Sequence, residues 1–272
     1  MNASIGRQAR SSDWLTVAAI AALAYVLSTA LHEHGGHAAA CVALGGRVGV
    51  FGAYYVDCDY RAMSSAAVKW VALAGPLASL LSGFVFAWVL RKTTTPFMRL
   101  LCWALASIGL MTAFGYMLFS AVADIGDLGT GPDGALHGVA MPWLWRIAMG
   151  GVGYWLYDRS VVWSMRRLAE LCGGFEERPR RVARIALTCY LAGGATGVLI
   201  GLFNPLGMVI VLTSALASSL GGTSGFAWGP YRTQVGAGDV VATVFPRSWA
   251  WIVVSLALVL AYGVVFGPSI VR

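Results

Sequence analysis

Three of the chain's four histidines lie within six residues, in the motif His32-Glu33-His34-Gly35-Gly36-His37. Neutral imidazoles are common zinc ligands, and a carboxylate beside them can act as the general base of a metal-dependent hydrolase. The motif falls inside an apolar stretch from Trp14 to Gly46. Ionisable side chains are costly inside a membrane and usually mark a functional site there. We therefore expect residues 32–37 to form a zinc site with Glu33 as its base.

The spacing of the motif is one residue longer than the His-Glu-x-x-His of soluble zinc proteases, where residues four apart share a helix face. In a regular helix His32 and His37 would be about 140° apart around the axis and could not bind one ion. A π-bulge at Gly35-Gly36 would restore the facing geometry. Alternatively, His34 and His37 could chelate without distortion. We favour the bulge, because it keeps Glu33 next to the leading ligand.

A catalytic zinc usually has three protein ligands, so one more is expected outside the motif. The polar segment from Asp124 to Gly134 holds three Asp and five Gly or Pro residues, which predicts a non-helical loop. Asp127 is our first choice for the third ligand and Asp124 the second, although either could simply belong to a solvated turn. His137 follows the loop and could be a ligand or could orient one.

Two further polar residues interrupt apolar sequence. Asn204 lies in an uncharged run of 47 residues from Ile185 to Tyr231, which is long enough to suggest a broken or re-entrant helix. Asn204 could satisfy the broken backbone or position a substrate peptide. Arg146 is predicted to pair with the Asp-rich loop or to extend towards the membrane surface.

The composition is that of a membrane protein, since 58% of the 272 residues are hydrophobic and only 11% are charged. Uncharged stretches of roughly 20 residues span a bilayer. We predict an all-α polytopic membrane protein with six or seven transmembrane helices and a small β element over Arg47–Asp59, after the first helix. Residues 1–272 form one membrane domain, with a core at 1–140 and additional helices at 141–272. The five cysteines are scattered and predict no disulfide framework.

The net charge of +7 is concentrated in three short segments and not spread over a surface. These are Arg7 with Arg10, the run from Arg91 to Arg99, and the run from Arg159 to Arg184. Such clusters are typical of cytosolic loops. They predict a multi-pass protein with a cytosolic N-terminus and with the Asp-rich loop on the opposite side. Membrane lipid is the expected surrounding partner, and nucleic acid is not expected to bind.

The chain resembles the site-2 protease family of intramembrane zinc metalloproteases. The likeness rests on His32-Glu33…Gly36-His37-Ala38, then Leu44-Gly45-Gly46-Arg47-Val48, then Ala74-Gly75-Pro76-Leu77-Ala78-Ser79. It covers about the first half of the chain. The sequence departs from the family in the extra motif residue, in Ser79 where an Asn is usual, and in lacking a clear Asn-x-x-Pro…Asp-Gly motif. Its charge pattern also places the site on the non-cytosolic side, whereas familiar members open towards the cytosol.

The resemblance implies a core of three spans with zinc held by His32, His37 and Asp127, and with Glu33 as the base. The expected activity is hydrolysis of peptide bonds in or near the transmembrane segment of another protein. Two other functions remain open: a metal-dependent enzyme acting on a lipid-like small molecule, and a metal-binding membrane protein without proteolytic activity.

Overall fold

The computed structural model describes residues 12–173, 178–232 and 243–272. Its α-helices are α1 (Trp14–His32), α2 (Ala39–Ala43), α3 (Ser65–Lys92), α4 (Pro96–Ala123), α5 (Pro142–Cys172), α6 (Arg178–Gly201), α7 (Met208–Ile210), α8 (Gly225–Arg232) and α9 (Trp249–Phe266). A first π-helical segment covers Glu33–Ala38, and a second one covers Val211–Gly221. The strands are β1 (Arg47–Phe51), β2 (Val56–Asp59) and β3 (Ile270–Val271). Arg7 and Arg10, which the topology prediction uses, lie outside the described residues.

The helices begin where the sequence supplies capping residues. The Asp13 side chain accepts a hydrogen bond from the backbone of Thr16 at the start of α1, and Ser64 caps α3 in the same way. Pro96 and Pro142 open α4 and α5, where a missing backbone N–H costs nothing.

Five helices within the described ranges are long and apolar enough to cross a membrane. The first is the continuous helix Trp14–Ala43, which joins α1, the first π segment and α2; the others are α3, α4, α6 and α9. The sequence predicted six or seven spans. Two regions are not among the five helices. One is α5, which is 31 residues long but carries several charges, and the other is the broken segment 208–232.

The chain between α6 and α8 is broken, as predicted. Helix α6 ends at Gly201, a turn follows, and the second π segment leads into α8. Asn204 is buried in the turn, where its side-chain oxygen accepts a hydrogen bond from the Leu206 backbone at 2.7 Å. Asn204 therefore satisfies the broken backbone, and it does not line the cavity described below.

A small sheet follows the first helix, which confirms the predicted β element. β1 pairs antiparallel with β2 on one side and with β3 on the other. The pairing with β3 places Ile270 and Val271 beside the hairpin.

The cysteine prediction is wrong, since Cys41 in α2 is joined to Cys58 in β2 by a disulfide. The hairpin folds back over the last helical turn and brings the two Cα atoms to 6.0 Å. Gly46 passes directly over the pair, and a Cβ there would lie within 2.9 Å of both sulfurs. Sequence spacing could not show this contact, because it depends on how the hairpin packs against the helix.

Helix α1 is at the centre of the helical bundle. Its Val17, Ile20 and Ala24 are fully buried, and the helix contacts α3, α4, α6 and α9. Helix α1 leads directly into residues 32–37, where the side chains of His32, Glu33 and His37 are buried inside the protein.

Candidate metal centre

The first π segment brings His32 and His37 together. A π-helix bonds residue i to residue i+5, so residues five apart come onto one face. The Nε2 atoms of His32 and His37 accordingly lie 3.3 Å apart. This confirms the π-bulge predicted at Gly35-Gly36. The bulge also needs a glycine at Gly36, where a Cβ would lie 2.7 Å from the backbone of α3.

Asp127 completes a group of three ligand atoms. Its Oδ2 lies 3.4 Å from His32 Nε2 and 3.2 Å from His37 Nε2. Ligands bound at about 2.0–2.1 Å in a tetrahedron are about 3.3–3.4 Å from one another. The three distances are those of three corners of a tetrahedral site, and the group could hold a metal ion.

Hydrogen bonds on the far side of each ring fix the two imidazoles. His37 Nδ1 lies 2.8 Å from the carbonyl oxygen of Val71, and His32 Nδ1 lies 2.9 Å from Ser79 Oγ. A carbonyl can only accept, so Nδ1 of His37 carries a hydrogen, and in the neutral imidazole the lone pair is then on Nε2, which faces the group. Partners of this kind are typical of metal-bound histidines. Ser79 stands where the site-2 protease family has an Asn, and its hydroxyl contacts His32 Nδ1.

The Gly75-Pro76 pair in α3 leaves room for both rings. A Cβ at Gly75 would overlap His37 Nε2 and would lie 2.7 Å from His32 Nε2. Only glycine permits so close an approach of a helix backbone to the imidazoles. The motif that carries the family resemblance thus has a direct steric role at the centre.

Asp127 is the residue of the centre that lies outside the helices. Its Oδ2 is buried and makes no well-aligned hydrogen bond within the described residues. Burial acts to raise the pKa of Asp127, but the adjacent His37 and His32 imidazoles outweigh it and hold that pKa well below its usual range. A buried carboxylate oxygen that lies 3.2–3.4 Å from two imidazole Nε2 atoms is placed where a bound cation could be held.

A cavity of about 980 Å³ opens onto the three ligand atoms. We call it the central cavity. Glu33 is 8% exposed and lines it beside His32 and His37. One wall is formed by the second π segment and the turn after it, with hydroxyls such as those of Ser218 and Thr223. Apolar side chains of α4, among them Phe119, also line the cavity.

His34, the alternative ligand within the motif, is not part of this group. Its Nε2 lies 3.0 Å from the carbonyl oxygen of Gly52, at the end of β1, and its ring packs against Phe266 at 4.4 Å between centroids. His34 therefore connects the helix that carries His32 and His37 to the hairpin and to α9. Chelation by His34 and His37 is not the geometry of this structure.

The other two alternatives also lie outside the group. Asp124 accepts hydrogen bonds from Thr130 and pairs with Arg146 at 3.0 Å, which confirms the pairing predicted for that arginine. His137 is exposed, with its Nδ1 3.2 Å from the carbonyl oxygen of Thr130. Both residues shape the loop that carries Asp127, which is not helical, as predicted.

Sequence reasoning gave no role at the centre to Tyr116 and the Val71 carbonyl. Tyr116 lies in α4 with its ring 5.6 Å from that of His32, and it lines the central cavity. A tyrosine in an apolar helix eleven residues before Asp127 was the available signal. Nothing in the sequence marks a backbone carbonyl such as that of Val71.

No protein-family model matches the chain, and neither a curated protein nor a solved structure matches it. What the chain can do is therefore inferred from its own side chains.

Proposed function

We propose that this protein is an intramembrane zinc metalloprotease similar to the site-2 proteases. The observation that carries the proposal is the tetrahedral spacing of His32 Nε2, His37 Nε2 and Asp127 Oδ2, with a buried Glu33 beside them. Two histidines, one carboxylate and an adjacent Glu are the donor set and base that zinc-dependent peptide hydrolysis requires.

Each residue of the centre has a separate role. His32, His37 and Asp127 would hold zinc, which supplies a water of lowered pKa and polarises a carbonyl. Glu33 accepts the proton of that water and later delivers it to the leaving amine. Ser79 and the Val71 carbonyl keep the two imidazoles turned towards the ion.

The substrate we propose is the transmembrane segment of another protein. The central cavity lies within the helical bundle, and an intact helix would present its carbonyl groups already hydrogen-bonded. A substrate must therefore unwind locally before its peptide bond reaches Glu33. Hydroxyls on the wall formed by the second π segment can hydrogen-bond an unwound backbone.

We further propose that the centre opens towards the non-cytosolic side. Arg91, Arg99 and Arg167 line one small cavity near the end of α3 that lies away from the hairpin. Helix α3 has 28 residues, so this basic end lies about 40 Å along the helix from Ser65, where the chain leaves the hairpin. Basic residues favour the cytosolic side, and disulfides such as Cys41–Cys58 persist mainly in oxidising compartments.

A second function, a metal-dependent enzyme for a lipid-like small molecule, is favoured by the cavity itself. A space of about 980 Å³ is of the size that small-molecule sites have. The same ligands and base would serve hydrolysis of an ester or amide in such a molecule. A third hypothesis is a protein that binds metal without catalysing a reaction.

The deciding experiment measures metal content and proteolysis on the purified full chain. Wild type should hold about one zinc, and it should cleave at least one member of a panel of tagged single-span proteins whose spans contain Gly or Pro. Glu33→Gln should keep the zinc and lose about 10²–10⁴-fold of the activity. Glu170→Gln is the matched control, because Glu170 is exposed and pairs with Arg167, away from the centre. Absence of bound zinc in wild type, or normal cleavage by Glu33→Gln, overturns the proposal.

A further inference from the structure

Tyr116 lies against two of the three ligand residues. Its ring is tilted by 32° over that of His32, with 5.6 Å between the centroids. Its hydroxyl interacts with both the backbone and the side chain of Asp127. A Cβ at Gly126 would lie 3.0 Å from the same hydroxyl oxygen. The phenol is thus held between the helix that carries His32 and the loop that carries Asp127.

The centre needs a hydrogen-bond donor that its ligands and base do not supply. The atoms that would bind the metal accept, and the proton that Glu33 takes up goes to the leaving amine. Among the described residues that line the central cavity, none is Lys or Arg. A peptide carbonyl oxygen that gains negative charge during attack therefore has no cationic side chain nearby, and a neutral O–H donor must serve.

The other buried tyrosine hydroxyls of the cavity are already used elsewhere. Tyr25 bonds to Thr223 at 2.7 Å, Tyr54 lies 3.5 Å from Ser219, and Tyr157 bonds to Ser224 at 3.2 Å. All three face the wall that begins with the second π segment. Tyr116 differs from them, because its hydroxyl reaches a ligand residue.

We infer that Tyr116 is a catalytic residue that donates a hydrogen bond to the carbonyl oxygen of the scissile bond as that oxygen becomes negative. The inference rests on the proposed function and adds a role to the same centre. The phenol keeps its proton throughout, and its single O–H exchanges the hydrogen bond to the Asp127 carboxylate for one to the substrate oxygen. Loss of one such donor typically lowers kcat by about 10²–10³-fold.

The test compares Tyr116→Phe with Tyr157→Phe in the purified full chain. Phe keeps the aromatic ring against His32 and removes only the hydroxyl. Tyr157→Phe removes a hydroxyl from the same cavity on the other wall, so it controls for cavity polarity. The first readout is binding of acetohydroxamate to cobalt-substituted protein, followed through the cobalt absorption spectrum, since a hydroxamate presents an anionic oxygen at the metal. The second readout is kcat and KM on whichever panel protein wild type cleaves.

Tyr116→Phe should retain about one cobalt per chain, bind acetohydroxamate about 10-fold or more weakly, and lose kcat with little change in KM. Tyr157→Phe should bind acetohydroxamate as wild type does. Equal acetohydroxamate affinity in Tyr116→Phe and wild type overturns the donor role and leaves the metalloprotease proposal standing. Loss of cobalt from Tyr116→Phe also overturns it, because the hydroxyl would then act only by holding Asp127. Failure of wild type to bind metal overturns both proposals.

Discussion

His32 and His37 are five residues apart in the chain, yet their Nε2 atoms lie 3.3 Å from each other. A regular α-helix would separate them by about 140°, so the π segment over Glu33–Ala38 is what makes the pair a possible chelate. The extra residue of the motif is therefore accommodated inside the helix, and both histidines stay directed at one point. π-Bulges of this kind are rare and occur mostly at functional sites.

The extra residue can be removed to test this geometry. Deletion of His34 leaves His-Glu-Gly-Gly-His, in which an ordinary helix places both ligands on one face, and bound zinc should be retained. His34→Ala should also keep zinc but lower the free energy of unfolding by about 1–3 kcal/mol, because it loses the Gly52 hydrogen bond and the packing on Phe266. His32→Ala should lose the ion. Metal analysis and thermal unfolding measure these effects, and zinc loss from His34→Ala would instead favour chelation by His34 and His37.

Gly75 should tolerate no side chain. In Gly75→Ala the new methyl group would overlap His37 Nε2 and crowd His32 Nε2, so zinc binding should be abolished or strongly weakened. Gly35→Ala is the matched control, because the nearest atom to its added Cβ is a Leu31 methyl carbon at 3.8 Å. Zinc titration of the two purified variants gives the zinc affinities to be compared. Equal affinity in both would show that α3 does not limit the space at the centre.

Ser79 should matter for metal affinity through His32. Removal of a hydrogen-bond partner of a metal-bound histidine typically weakens binding about 10–100-fold, and we expect this for Ser79→Ala. Ser82→Ala removes a neighbouring hydroxyl that bonds only to the carbonyl oxygen of Ser79 within α3. Competition with a chelator gives the zinc dissociation constants. A Ser79→Ala value within twofold of the Ser82→Ala value would mean that Ser79 does not orient the ligand.

The orientation proposal predicts opposite labelling of two exposed positions. Asp133→Cys, in the loop that carries Asp127, should react with an impermeant maleimide from the non-cytosolic side. Arg180→Cys, at the start of α6, should react only after the membrane is permeabilised. Labelling of the native cysteines should be low, because Cys102, Cys172 and Cys189 are buried and Cys41 is joined to Cys58. The reverse labelling pattern would place the centre on the cytosolic side.

The local features of the centre could be read from the sequence. The number of residues between His32 and His37, with two glycines between them, predicts a bulge, because helix geometry depends on spacing along the chain. The short Val- and Tyr-rich stretch after the first helix predicts the hairpin, because such residues favour β-strands. The acid-rich loop with five Gly or Pro residues predicts a non-helical segment, and its Asp127 is the one the fold brings to both histidines.

Only the tertiary structure decided how these pieces meet. The Cys41–Cys58 disulfide, the space left by Gly75, the partners of the two imidazoles and the position of Tyr116 are all contacts between different elements. Ser79 is 47 residues from the histidine that it orients. No periodicity along one helix encodes such a distance, because it is set by how α1, α3 and α4 pack together. The sequence by itself thus determined which residues could bind a metal, and the packing of the helices determined which of them face one point.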